Sequence, residues 1–379
     1  MKVLQLGKFY PIRGGVEKVM WDLTRGLSRS GIHCDMLCAT LPSDGIDTKD
    51  ADLYDKEQNC FCMPGGGRVF MVPALAKKAA TMLSPAMIGW LRRHRSEYDI
   101  IHIHHPDPMA ALALRMSGFS GKVVLHWHSD ILSQKLLLAF YRPLQSWLIR
   151  RANRIVGTTP VYIKDSPYLQ KVQDKCSAVP IGIEPVAENR YGAETIKRRF
   201  AGKRILLSIG RLVQYKGYNY LIKAAKYLPD DCRVVIGGSG PLKDELESLI
   251  DRERLRDRVS LIGYVPDEEL PAWFTACDAF VLCSTMKTEA FGIVQIEAMS
   301  IGKPVIATRI PASGVSWVNC DGISGRNAEP GDAKSLACAI TDVLENKEKY
   351  GKGARQLFGE RYTFENMINQ IISIYETLD

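Results

Sequence analysis

The chain has 379 residues, 46% hydrophobic and 24% charged, the balance of a soluble globular protein long enough for two domains. No run reaches the roughly 18 consecutive apolar residues of a membrane-crossing helix, and the ten cysteines are scattered, with Cys232, Cys277 and Cys283 inside apolar runs, which excludes a disulfide framework. The net charge of +8 sits entirely in one half: residues 1–184 hold 24 Lys and Arg against 16 Asp and Glu, and residues 185–379 hold 26 of each.

A basic first half suits an anionic partner, such as a membrane surface, a phosphorylated acceptor or nucleic acid, and ordinary surface variation is the alternative. The opening "MKVLQLGKFYP" has too short an apolar run for a signal peptide and reads as a first strand, so a cytoplasmic protein is expected. After Gly15, the positions Val16, Val19, Met20, Leu23 and Leu27 follow helical spacing. Further strands are expected at "HCDMLCA", "DIIHIHH", "KVVLHWH" and "RIVGTTP". Cys60 and Cys62 stand too close in an extended segment for a disulfide or a zinc knuckle. The stretches 74–95 and 136–154 are both basic and apolar, and read as helices packed on a core or lying against a membrane.

A polar, Gly- and Pro-punctuated stretch at 179–203 reads as an interdomain link. The second series of strands follows: "RILLSIG", "RVVIGG", "VSLIGYV", "DAFVLCS" and "PVIATRI". Apolar runs separated by helix-length intervals predict parallel strands in βα units. The expected fold is therefore α/β, with two Rossmann-like doubly wound domains, residues 1–184 and 185–360, facing across a cleft, and a closing helix at 361–379. Ligands of such sheets bind beyond the C-terminal strand ends.

In the second domain, "SIGRLVQYKG" puts Arg211 and Lys216 on the loop after a strand, where two cations could neutralise a diphosphate. Either residue alone would read as a solvated loop charge. "VIGGSGP" (235–241) turns on glycines that could approach a ligand or simply turn tightly, and it lacks the dinucleotide fingerprint. In "TEAFGIVQIEAMS" (288–300), Phe291 and Gly292 start a helix whose free N–H groups suit a phosphate. Glu289 precedes that helix and Glu297 lies about two turns along it. A carboxylate accepts two hydrogen bonds side by side, which suits the vicinal hydroxyls of a sugar.

"EAFGIVQIE" resembles the E-x7-E signature of the retaining GT-B glycosyltransferases of family four (glycosyl transferases group 1). The resemblance spans nearly the whole chain through "GGVEKV", "HWHSDI", "GRLVQYKG", "GGSGPLKDEL", "LIGYVPDEELPAWFTACDAFVLCS" and "GKPVIATRIPA". It implies that Arg211 and Lys216 hold the donor diphosphate and that Glu289 approaches the hydroxyls of the transferred sugar. Backbone N–H groups near Phe291 and Gly292 would contact sugar and phosphate. Glu297 would bind the ribose diol, and Tyr264 and Val265 would border the base. The Gly14–Gly15 turn would cap the diphosphate, and His128 would contact the sugar near the reacting centre.

All seven histidines lie in the first half, and strand alternation puts His102 with His104, and His126 with His128, on one face. No carboxylate or cysteine nearby completes a familiar ligand set, and the single literal D-x-D, Asp50–Asp52, falls in a polar loop. No metal or other cofactor is therefore expected; cations of the site take that part. In the family that the chain resembles, no nucleophile and acid pair of the kind covalent retention needs is established, so the resemblance implies front-face substitution, the leaving phosphate drawing the acceptor's proton.

The motif wording is most similar to mannosyltransferases of lipopolysaccharide O-antigen assembly. That implies hexose transfer from GDP-mannose to a polyprenyl-diphosphate-linked or lipopolysaccharide glycan, with possible peripheral contact at the inner face of the cytoplasmic membrane. The alternatives are a UDP-sugar donor in the same family, a sugar-nucleotide 2-epimerase and a non-enzymatic sugar-binding protein. Nucleic-acid binding lacks an aromatic platform or recognition motif.

Overall fold

The computed structural model describes residues 1–12, 14–45, 53–58, 60–63, 65–78, 81–131 and 135–378. The chain divides into two compact units, Met1–Ile181 with Met367–Asp379, and Gly182–Asn366.

The strands of the first unit are β1 (Lys2–Phe9), β2 (His33–Thr40), β3 (Tyr54–Asp55), β4 (Cys60–Cys62), β5 (Arg68–Pro73), β6 (Ala76–Lys78), β7 (Thr81–Leu83), β8 (Ile100–His105), β9 (Lys122–Trp127), β10 (Arg154–Gly157) and β11 (Cys176–Ala178). Nine of them form one sheet in the order β11-β10-β9-β8-β1-β2-β5-β4-β3. Its strands run parallel from β11 through β5, and the last two pairings, β5–β4 and β4–β3, are antiparallel. The order reverses between β1 and β8, the switch point where doubly wound sheets bind ligands.

All five strands expected in this half are present. β3, β4, β5, β11 and the β6–β7 hairpin are additional. The hairpin corrects the reading of 74–95 as one helix: β6 pairs antiparallel with β7, and a helix begins only at Pro85, burying Met87 and Leu91. The stretch 136–154 does form the helix expected of it, Lys135–Arg151.

The second unit holds β12 (Arg204–Ile209), β13 (Cys232–Gly237), β14 (Val259–Gly263), β15 (Ala279–Val281), β16 (Val305–Thr308) and β17 (Gly325–Ala328). They form a parallel sheet in the order β14-β13-β12-β15-β16-β17, with the switch between β12 and β15. Leu206, Val234, Ile236, Val281 and Ile306 are buried on it against Leu221, Ile222, Leu336 and Ile340 of flanking helices. Each such side chain contributes about 1.5–3 kcal/mol through burial.

The stretch 179–203 is not only a link. The helix Arg190–Arg199 lies within it, capped by the Asn189 side chain, which accepts from the Gly192 N–H at 2.9 Å. The C-terminal helix Phe364–Glu376 places all but its first three residues in the first unit, where Tyr375 is fully buried against β1 and β8.

Candidate active site

In the second unit, the loops that leave β12 and β15 meet at the switch point. The Thr285 N–H donates to the Tyr215 carbonyl at 2.8 Å, and Lys216 Nζ donates to Glu289 Oε2 at 2.5 Å. Both side chains of that pair are 12% exposed, so the contact is screened far less than a surface ion pair. Burial pulls the Lys216 ammonium down, yet Glu289 and Tyr215 beside it outweigh burial and leave it raised. Lys216 is therefore charged, with two further N–H groups to offer.

Glu289 is held at both ends. Ser284 Oγ donates to Oε2 at 3.0 Å, and Ser313 Oγ donates to the Glu289 carbonyl at 2.5 Å. Oε1 is left without a protein partner among the described residues. The sequence reading missed both serines. Ser284 ends the run "DAFVLCS", three residues past β15, and could have been found from that position; Ser313 carries no such signal.

Arg211 is exposed and its guanidinium has no partner among the described residues. Burial raises the Tyr215 phenol, Lys216 and Arg211 pull it down and Glu289 pushes it up, so one electrostatic neighbourhood holds all four groups.

Phe291 is 4% exposed and packs edge-on against Tyr362, so its backbone alone is available to a ligand. The helix expected to start at Phe291–Gly292 starts at Ile293, with Gly292 as a left-handed N-cap at φ 75° that contributes no side chain. No side chain caps the first turn; the Gln295 N–H donates to the Gly292 carbonyl at 2.9 Å, and the N–H groups ahead of it have no side-chain cap, the local condition for anion binding. Glu297 is the fifth residue of Ile293–Ser300, one turn in rather than two, and shares a face with Ile293.

Tyr264 is 69% exposed and Val265 is 7% exposed just past β14, an accessible ring beside an apolar floor. The glycines of 235–241 make their close approach to the protein itself: a Cβ on Gly238 would lie 1.9 Å from the Gly210 carbonyl oxygen. They seat the loop that carries Arg211.

In the first unit, Gly14 caps the helix Gly15–Arg29 with no side chain, and the Lys18 N–H donates to its carbonyl at 3.0 Å. Glu17 folds back so closely that a Cβ on Gly14 would meet its carboxylate. An anion at this helix start would share it with an acid, a feature the Gly14–Gly15 pattern alone does not disclose.

β8 and β9 pair His104 with His126 and His105 with Trp127. His102, His104, His126 and His128 stand on one face with near-parallel rings, His126 and His128 stacking at 4.1 Å. On the other face Trp127 stacks on His105 at 3.8 Å, and its indole N–H donates to Asp130 Oδ1 at 2.9 Å. In "HWHSDI", Trp127 and Asp130 therefore hold the loop. Burial first of all pushes His102, His104 and His128 well below the ordinary range, and His105 and His126 to about 3. All five rings are neutral near pH 7.

His102, His104 and His126 bring ligand atoms within 4.8 Å of one another, a grouping that strand alternation hinted at but could not close. Both His104 nitrogens are already hydrogen-bonded, to His128 and to Gln5, and no carboxylate or cysteine belongs to the group. Asp50 and Asp52 lie outside the described residues.

The profile for Glycosyltransferase Family 4 matches residues 13–185, and that for glycosyl transferases group 1 matches 194–356. The chain is 31% identical to O-antigen chain mannosyltransferase C of Escherichia coli, over 100% of this chain and 99% of that protein. It is 29% identical to D-rhamnosyltransferase WbpZ of Pseudomonas aeruginosa, over 96% and 92%. Among solved structures, Anabaena Alr3699/HepE in complex with UDP superposes with a TM-score of 0.78 at 22% identity, each chain covered in full. The fold is GT-B, as the motifs implied.

Proposed function

The chain belongs to glycosyltransferase family 4, the glycosyl transferases group 1, and we propose that this glycosyltransferase moves mannose from GDP-mannose, with retention, to a lipid-linked or lipopolysaccharide glycan. The contact that carries the reading is Lys216 to Glu289 at 2.5 Å. It sets a charged, partly occupied ammonium and a carboxylate with one free oxygen side by side, next to the unpaired Arg211.

In this reading Lys216 and Arg211 neutralise the diphosphate, whose charge grows as the sugar leaves, and so stabilise the transition state without a divalent ion. Glu289 Oε1 accepts from a sugar hydroxyl, and uncapped N–H groups at Gly292–Ile293 face phosphate. Glu297 binds the ribose diol, and Tyr264 and Val265 border the base. From the first unit, the Gly14–Gly15 backbone contacts the diphosphate and His128 the sugar. The leaving phosphate takes the acceptor's proton, so the protein's part is positioning and charge stabilisation. The basic first half and the exposed Leu75, Leu83 and Phe140 suit an acceptor carried at an anionic membrane surface; no helix among the described residues is long and apolar enough to cross one.

The mannose reading draws on the full-length similarity to an O-antigen mannosyltransferase. The similarity to a D-rhamnosyltransferase favours one second reading, in which the sugar is the 6-deoxy analogue of mannose. Titrating the protein with GDP-mannose, its 6-deoxy counterpart, UDP-glucose and UDP-N-acetylglucosamine without added metal tests both. Thermal stabilisation by GDP-mannose alone is expected. Stabilisation by a UDP-sugar alone would discard mannose and keep the family, and the anomeric configuration of the product, read by NMR, decides retention.

A further inference from the structure

We propose that Gln5, His104 and Tyr375 are positioning residues that fix His128 as its Nε2–H tautomer, so that Nδ1 meets the transferred sugar as a hydrogen-bond acceptor. The proposal rests on the reading above that His128 contacts the sugar.

A continuous line of hydrogen bonds crosses the β1–β8–β9 face of the first unit. His128 Nε2 lies 2.9 Å from His104 Nδ1, and His104 Nε2 lies 2.7 Å from Gln5 Oε1. Gln5 Nε2 lies 3.2 Å from Tyr375 Oη, which lies 2.6 Å from His102 Nδ1. Gln5, His102, His104 and Tyr375 are fully buried, so no solvent competes for these bonds.

The Gln5 amide sets the polarity of the line. Its oxygen can only accept, so His104 Nε2 carries the proton and His104 Nδ1 is a lone pair. That lone pair requires a donor, so His128 Nε2 carries its proton. In a neutral ring the other nitrogen, Nδ1, then has no hydrogen. On the far side the Gln5 N–H donates to Tyr375, whose hydroxyl hydrogen passes to His102 Nδ1. Cys34 supports this orientation: its Sγ–H turns to the Asp35 carbonyl and leaves sulfur lone pairs towards Gln5 Nε2 at 3.7 Å.

Burial keeps all three rings neutral, the condition under which a tautomer is a defined state. His128 is 5% exposed, and its Nδ1 has no protein partner among the described residues. An acceptor nitrogen there binds a hydroxyl through the hydroxyl's own hydrogen and gives no proton to the leaving group. Tyr375 and Gln5 are 370 residues apart, so the C-terminal helix takes part in setting a nitrogen of the active-site loop.

Histidine-ring ¹⁵N NMR tests the proposal, with a His128→Gln sample to assign the ring. His128 and His104 are expected as Nε2–H tautomers in the wild-type protein. Gln5→Met should give His128 a mixture of tautomers and lower kcat roughly ten-fold, about the worth of one misdirected hydrogen bond, with donor KM nearly unchanged. Tyr375→Phe should do the same more weakly, and it serves if Gln5→Met does not fold. An Nδ1–H tautomer of His128 in the wild-type protein overturns the proposal. So does a tautomer unmoved by both variants. Stabilisation by Zn²⁺ that vanishes in His126→Ala would also overturn it, because His104 cannot serve a metal and the line together. Full activity in His128→Ala would instead sink the sugar-contact reading and leave the tautomer measurement standing.

Discussion

Lys216 and Glu289, 73 residues apart, are joined at 2.5 Å by the loops that leave two adjacent strands of the second unit. The proposed function gives the pair a part in donor binding beside its structural one, and separate substitutions distinguish the two. Lys216→Met leaves a largely buried carboxylate without its cation, so unfolding stability should fall by about 3 kcal/mol. Affinity for GDP should fall at least about ten-fold as well, with the loss of a charge-assisted phosphate contact. Glu289→Gln keeps the lysine charge and should bind GDP normally while kcat collapses. Calorimetry with GDP and steady-state rates check both; a Glu289→Gln enzyme that accumulates a glycosylated intermediate would replace front-face substitution with a covalent route.

Arg211 has the opposite character. It is exposed and unpaired among the described residues, so folding does not depend on it. Arg211→Ala should leave the melting temperature unchanged and weaken GDP binding about ten-fold, consistent with one lost charge-assisted contact. Arg211→Lys should recover part of the affinity, because an ammonium keeps the charge but lacks the planar fork. GDP affinity equal to wild type in the alanine variant would remove Arg211 from the site.

The long parallel strands and the sign of their loops were legible in the sequence, because runs such as "RILLSIG" and "DIIHIHH" are buried on both faces and need no partner to be recognised. The short ones were not. β17 is "GRNA", which carries no β-branched residue and is a strand only because β16 offers it an edge. The β6–β7 hairpin was hidden under a basic apolar composition that suits a helix equally well. At the candidate site, the placement of Arg211, Lys216 and Glu289 on the loops after β12 and β15 was readable from motif position, whereas the buried contact of Gln5 with Tyr375 was not. A polar residue inside an apolar strand looks like a lapse in pattern until the partner 370 residues away is in view.

Gly292 tests whether the helix start is a built feature. Its φ of 75° suits glycine, and a Cβ there would lie 2.6 Å from Leu282 Cδ2. Gly292→Ala should cost more than about 1 kcal/mol, since backbone strain and a core clash add. Because the backbone N–H groups move with it, donor affinity should fall together with stability. Thermal unfolding and donor titration on the same sample check this. A variant as stable as wild type would mean that the loop relaxes freely and that the left-handed turn is not required.

The buried histidines make stability depend on pH with a defined sign. Burial depresses His102, His104, His105, His126 and His128 below their ordinary value of 6.5, to about 3 for His105 and His126. The unfolded chain takes up protons on these rings near pH 6.5, and the folded protein does so only far lower. Their contribution is thus fully present above pH 6.5 and is lost as pH falls from there towards 3. Each ring accounts for about 1.4 kcal/mol per pH unit within that window. His126 isolates the effect, since neither of its ring nitrogens has a hydrogen-bond partner among the described residues. His126→Leu should therefore gain on wild type by about 1.4 kcal/mol for each pH unit below 6.5, while all other titrating groups, Asp107 included, cancel in the comparison. Urea unfolding of both proteins at pH 7.5, 6 and 5 measures that gap. Curves that stay parallel across the series would show that His126 is protonated in the folded protein, and the neutral array would have to be abandoned.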